Sequence, residues 1–165
     1  MRETGLAVVA ISSSAEPPRE RLLPTEIGDV IKEWGCMWMW RSLKIIGNDS
    51  WLKKAIEERT LIAVTDGSYM REMYPQVCSA AFILECSKGS GRIVGSFAEA
   101  STHANAYRGE LMGLMAIHLI LKAADQLWPR LSRQAVIFSD CLGALKKWQT
   151  CLRTKYRHGV VTQTF

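Results

Sequence analysis

The chain holds no apolar run near the roughly 20 residues that a bilayer-crossing helix needs. Its apolar stretch Leu6 to Ile11 is too short for the core of a signal peptide. No membrane association is expected, and an intracellular, soluble chain is the default. Cysteines are few: Cys36, Cys78, Cys86, Cys141 and Cys151. None stands two residues from another, which excludes the paired spacing of a zinc site. Their odd number, in a chain long enough to build a core, favours reduced and buried thiols over disulfides. The 3 histidines form no serine–histidine or cysteine–histidine pairing, so nucleophilic catalysis of that kind finds no support. Internal repeats and low-complexity tracts are absent as well.

Negative charge is missing from the end of the chain. After Asp140 there is no acidic residue, whereas Lys146, Lys147, Arg153, Lys155 and Arg157 are basic, so the whole net charge of +5 sits in the last 25 residues. Such a stretch suits a phosphate backbone, and equally a solvated helix face.

What is present reads as globular: 165 residues, 48% hydrophobic and 22% charged, enough for one domain of ordinary size. Residues 1–60 read as an extension. They hold Ser12-Ser13-Ser14, Pro17-Pro18 and the tryptophans Trp34, Trp38, Trp40 and Trp51. These rings are suited to stacking on bases or to packing against a neighbouring domain. Asn48-Asp49-Ser50 signals the start of a short helix from Trp51 to Arg59.

From Leu61 the pattern sharpens. Leu61 to Thr65 is an apolar, partly β-branched run that predicts a strand ending in a turn at Asp66-Gly67-Ser68. Ser79 to Glu85 and Gly91 to Phe97 predict two more strands, joined by the turn Lys88-Gly89-Ser90-Gly91. A helix is expected from about Asn105 to Ala124, a fourth strand over Ala135 to Ser139, and a helix over Cys141 to Leu152. The short links make the first three strands antiparallel. The helix is a crossover, right-handed as nearly all are, and lays the fourth strand parallel to the first. The fold class is therefore α/β, a mixed sheet with flanking helices.

This winding makes a geometric prediction. Asp66 at the end of the first strand and Asp140 after the fourth fall at the same edge, on strands about 4.8 Å apart. Glu110 lies near the start of the long helix, followed at i+4, i+7 and i+11 by Leu114, Ile117 and Leu121. That stripe faces the sheet, so Glu110 points inward at the same edge, and Gly113 permits close approach of helix and sheet. Three carboxylates this close repel one another unless a cation joins them. Oxygen-only ligands suit Mg²⁺ or Mn²⁺, and a pair of such ions can hydrolyse a phosphodiester. Singly, each acid has a structural alternative: Asp66 as a turn residue, Asp140 as an N-cap, Glu110 as one half of an ion pair.

Val64-Thr65-Asp66-Gly67-Ser68, Tyr107-Arg108-Gly109-Glu110-Leu111 and Ile137-Phe138-Ser139-Asp140, in that order, resemble the ribonuclease H domain of retroelement reverse transcriptases. The resemblance covers about residues 60–150. It implies a five-stranded ribonuclease H-like sheet and metal-dependent hydrolysis of the RNA strand in RNA–DNA hybrids. Asp66 is then a ligand bridging two Mg²⁺ ions, Glu110 a ligand that also senses the RNA 2′-hydroxyl, and Asp140 the third. Gly67, Ser68, Asn105, Lys146 and Lys147 are candidate nucleic-acid contacts, and a reverse transcriptase module in a longer polyprotein is the implied partner. The Trp-rich stretch is similar to the segment that joins such modules. Two departures stand out. The family's fourth acid, on a helix after a fifth strand, has no counterpart after Asp140, and Gly159 to Phe165 offers at most that strand. The domain over 61–165 is therefore expected to be C-terminally truncated. Ala106 stands where family members place a polar residue, with Asn105 one step away. Alternatives are a catalytically impaired fragment that only binds nucleic acid, and an integrase-like or exonuclease-like enzyme acting on DNA.

Overall fold

The computed structural model describes residues 26–89, 91–129, 135–155 and 161–163. In chain order the elements are α1 (Ile27–Glu33), α2 (Met37–Trp40), β1 (Lys44–Ile46), α3 (Ser50–Glu57), β2 (Leu61–Tyr69), β3 (Val77–Cys86), β4 (Arg92–Ala100), α4 (Ala106–Leu127), β5 (Val136–Phe138), α5 (Leu142–Lys155) and β6 (Val161–Gln163). The strands form one sheet in the order β1-β4-β3-β2-β5-β6. Neighbours from β1 to β2 run antiparallel. β5 is parallel to β2, and β6 to β5. The mixed sheet with its crossover helix is the architecture that the strand and helix periodicities predict.

Alternation along the strands sets the faces. Leu61, Ala63 and Thr65 of β2, and Cys78, Ala80, Phe82 and Leu84 of β3, are buried beneath α4. Val64 and Ile83, paired across the ladder, are 44% and 40% exposed on the other face. On α4, Leu114 and Ile117 are fully buried, whereas Leu121 is only partly covered. The buried face continues through Ile120, Ala123 and Ala124, so it runs one position aside from Leu121. His118 and Trp148 meet edge-on at 5.9 Å between α4 and α5.

Two readings change. Asp66-Gly67-Ser68 is not a turn: it continues β2, paired with Ala81, Ala80 and Ser79. The hairpin with β3 is longer than the apolar run because ladder bonds tolerate polar side chains at the solvated end of a strand. Residues 27–57, read as part of an extension, belong to the core of the same fold. Ile27, Val30, Ile31, Met39, Leu52 and Ala55 are at most 1% exposed, and β1 extends the sheet beside β4. The tryptophans pack on this fold: buried Trp40 lies edge-on to Phe82 at 6.4 Å, and the more exposed Trp38 to Phe97 at 5.4 Å. A β-carbon on Gly91 would collide with the ring of Trp51, so that ring lies flat on the glycine. The start of α3 falls where Asn48-Asp49-Ser50 signals it. Asp49 occupies its N-cap position without a side-chain cap bond, and its carboxylate accepts the Ile27 N–H at 2.5 Å instead. Asp49 thus joins α1 to α3.

Cys36, Cys78, Cys86 and Cys141 are free thiols, but of these Cys78 alone is buried and Cys36 is exposed. Among the described residues no helix is long and apolar enough to cross a membrane. The Ser12–Ser14 and Pro17-Pro18 readings, the apolar stretch Leu6 to Ile11, Ser90 and Arg157 lie outside the described residues.

Gly113 tests the packing of α4 on β2. A β-carbon there would meet Thr65 Oγ1 at 1.9 Å, and that hydroxyl donates to the Ala81 carbonyl at 3.0 Å. Alanine gains about 1 kcal/mol in helix propensity, but overpacking costs about 1–3 kcal/mol, and Thr65 can yield only by breaking a buried bond. Gly113→Ala is expected to lower stability by about 1–2 kcal/mol net in denaturant unfolding. A stability gain would show that α4 sits farther from β2.

Candidate active site

Two glycines let the first turn of α4 touch β2. A β-carbon on Gly67 would lie 2.4 Å from the Glu110 backbone nitrogen, and one on Gly109 would lie 2.8 Å from the Ser79 carbonyl oxygen. No larger residue allows this approach. The start of α4 is also capped and tied down. The Asn105 side chain accepts the Arg108 N–H at 2.8 Å, and the Arg108 guanidinium grips both Glu99 oxygens of β4 at 2.5 and 2.7 Å. That bidentate pair holds the Glu99 carboxyl below its ordinary range.

So placed, Glu110 is only 7% exposed. Its Oε1 accepts the Gly67 N–H at 2.9 Å, and its Oε2 accepts the Ser139 hydroxyl at 3.3 Å. Ser139 is itself buried and its Oγ accepts the Cys141 N–H at 3.2 Å. It thereby links Glu110 to the turn that carries Asp140. Asp66 and Asp140 are exposed. One carboxylate oxygen from each of Asp66, Glu110 and Asp140 lies within 4.8 Å of the others. β2 supplies the first, α4 the second, and the segment after β5 the third.

The electrostatics follow from this crowding. Burial raises the Glu110 pKa above the ordinary 4.5, and the charges of Asp140 and Asp66 raise it further. The Gly67 N–H and the Ser139 hydroxyl oppose the rise. A buried acid facing two exposed ones is an arrangement that a divalent cation relieves. The donor set, carboxylate oxygens with open positions for water, fits hard ions of the Mg²⁺ type.

The other candidates are distributed unevenly. Gly67 faces α4 and spends its N–H on Glu110, so it shapes the site from within. Ser68 is exposed and lines, with Asp66, Ser79, Ala81, Ser96 and Ala98, a shallow concavity of about 420 Å³. Asn105 is engaged as the helix cap, its Nδ2 also donating to the His103 carbonyl at 3.0 Å. Asparagine at an N-cap is a structural choice. Lys146 and Lys147 are exposed on α5, which begins two residues after Asp140. Sequence reasoning missed Ser139, Gly109 and the Arg108–Glu99 anchor. Ser139 and Gly109 each stand beside an acid, which is the one signal that marks them.

No protein-family model matches the chain, and no curated protein does. Among solved structures the chain is similar to LC11-RNase H1 in complex with RNA/DNA hybrid, at 10% sequence identity and a TM-score of 0.46, over 64% of this chain and 84% of that one. It is also similar to RNase H1 from the halophilic archaeon Halobacterium salinarum NRC-1, at 16% identity and a TM-score of 0.41, over 64% of this chain and 84% of that one.

The raised Glu110 pKa has a definite sign. An acid with a raised folded-state pKa contributes stability below its unfolded value and loses it as pH rises through the folded value. At neutral pH without metal, Glu110→Gln should therefore be more stable than wild type, the gap closing toward about pH 4.5. Added Mn²⁺ should reverse the order, since an ion at about 100 times its Kd stabilises wild type by about 2.7 kcal/mol. Thermal melts across pH, with and without Mn²⁺, check both; a variant less stable than wild type in EDTA would refute the electrostatic account.

Proposed function

We propose that the chain is a divalent-metal-dependent phosphodiesterase that hydrolyses the RNA strand of RNA–DNA hybrids. The observation that carries this reading is the meeting of Asp66, Glu110 and Asp140 within 4.8 Å, where β5 ends and α4 begins beside the outer part of β2. Ligand sites of open α/β sheets favour such edges. The motifs around these acids, in their order and on their expected elements, support the ribonuclease H reading over other phosphodiesterases.

Asp66, Glu110 and Asp140 are the residues that would hold Mg²⁺ or Mn²⁺, two ions being expected. Metal of this kind supplies water activation and charge neutralisation at the leaving oxygen. The chain's own part is positional. The Gly67 N–H and the Ser139 hydroxyl hold the Glu110 carboxylate, one oxygen of which lies within 4.8 Å of an oxygen of Asp66 and of Asp140. Asp66 and Asp140, both exposed, stand where a phosphate can reach them. Glu110 is the residue assigned to recognise the 2′-hydroxyl that separates RNA from DNA. Ser68, next to Asp66, and Lys146 and Lys147, on the helix after Asp140, are assigned to the nucleic-acid backbone. The motifs favour a retroelement lineage, with a reverse transcriptase module as partner.

A second reading has a specific observation behind it. No acidic residue follows Asp140, so residues 141–165 add no fourth carboxylate to the three. On this reading the chain binds hybrid and turns it over slowly or not at all.

A labelled RNA–DNA hybrid separates the two. With Mg²⁺ or Mn²⁺ the wild type is expected to cut the RNA strand to 3′-hydroxyl products, and Asp66→Asn to lower the rate at least about a hundredfold, as loss of about 2.7 kcal/mol of transition-state stabilisation does. Equal products from both proteins would end the catalytic proposal. Cutting of a DNA duplex instead would favour a DNA-directed enzyme.

Binding is read separately. If Lys146 and Lys147 each neutralise a phosphate, the double alanine variant should flatten the plot of log affinity against log salt by about two. An unchanged slope would remove both lysines from the interface.

A further inference from the structure

We infer that Tyr107 is a positioning residue: it clasps the start of α4 to the start of α5 and so sets the separation of Glu110 and Asp140. The inference rests on the metal-binding role proposed for those acids. Tyr107 stands three residues before Glu110, and Gly143 stands three after Asp140. The Tyr107 hydroxyl reaches the Gly143 carbonyl oxygen at 3.5 Å. A β-carbon on Gly143 would lie 3.5 Å from Tyr107 Cε2, which is ordinary contact distance. The edge of the ring therefore rests against the α5 backbone while the phenol reaches the carbonyl.

The location gives the contact its leverage. Arg108, the next residue, fastens the same turn of α4 toward β4 through Glu99. That bond acts on the β4 side of the helix start, away from α5. Deeper in the fold, α4 and α5 meet where His118 touches Trp148. His118 lies eleven residues beyond Tyr107, about 16 Å down the helix axis. A contact that distant does not fix the spacing at the mouth, where β5 has ended at Phe138 and the ladder no longer holds the chain. Ser139 joins Glu110 to the segment before Asp140 at 3.3 Å, but it does not reach α5. Among the described residues, Tyr107 bridges the two helix starts beside the acids. Its 42% exposure is a poor outcome for burial alone, but it suits a strap across the outside of a site.

The test uses the full chain in three forms: wild type, Tyr107→Phe and Tyr107→Ala. Two readouts are taken. Amide hydrogen exchange without metal reports whether residues 141–145 are held, and calorimetry with Mn²⁺ alone reports ligand geometry. Tyr107→Ala should speed exchange at 141–145 and weaken Mn²⁺ binding about tenfold, the scale on which groups that orient metal ligands act. Exchange at β3 should stay unchanged. Tyr107→Phe keeps the ring against Gly143 and should stay close to wild type in both. Unchanged exchange in Tyr107→Ala would overturn the clasp. Faster exchange with undiminished Mn²⁺ affinity would overturn the positioning role. Wild type that binds no Mn²⁺, whatever its exchange pattern, would overturn the metal reading itself and the positioning role with it.

Discussion

One close approach underlies the rest of the molecule: the first turn of α4 lies directly on β2, with Gly67 against the Glu110 backbone. From that contact a buried carboxylate gains the Gly67 N–H as donor. The crossover to β5 then arrives at the same edge, and Asp140 comes within reach. Gly109 and Gly113 extend the contact along the helix, one over Ser79 and one over Thr65. Side chains at these points would lift α4 from the sheet, and Glu110 would leave the other acids.

The site is organised against its own electrostatics. Three carboxylates within 4.8 Å repel, and burial adds to the cost at Glu110. Two hydrogen-bond donors offset part of this, each worth about 1.5–3 kcal/mol toward a charged group. The fold can hold such an arrangement because the remainder is consistent: a long crossover helix, a hairpin of nine paired positions, and a bidentate ion pair securing the helix start. Sites that spend stability in this way are where function concentrates.

The segment before β2 contributes more than a connection. α1 packs on α4, Trp40 closes over Phe82, and Trp51 covers Gly91. Aromatic area of this size, about 150–250 Å² for each ring, stabilises the same sheet that carries Asp66. The face of the sheet opposite α4 is less covered, with Val64 and Ile83 open across adjacent strands.

Much of this could be read from residues alone, because period-two and period-3.6 patterns are local. Leu61 to Thr65, Ser79 to Glu85 and the stripe Leu114, Ile117 declare their faces by spacing, and chain order with crossover handedness leads Asp66, Glu110 and Asp140 to one edge. What only the tertiary structure decided are the features that depend on distant partners. β1 is three residues long and exists because β4 is beside it; Asp66-Gly67-Ser68 extends a strand, not a turn, because β3 pairs with it. Asn105 caps α4 through the Arg108 N–H, and Ser139 acquires a role because Glu110 lies 3.3 Å away. A sequence records the preferences of each segment, but a hydrogen bond between residues 29 apart belongs to the packing that brings them together.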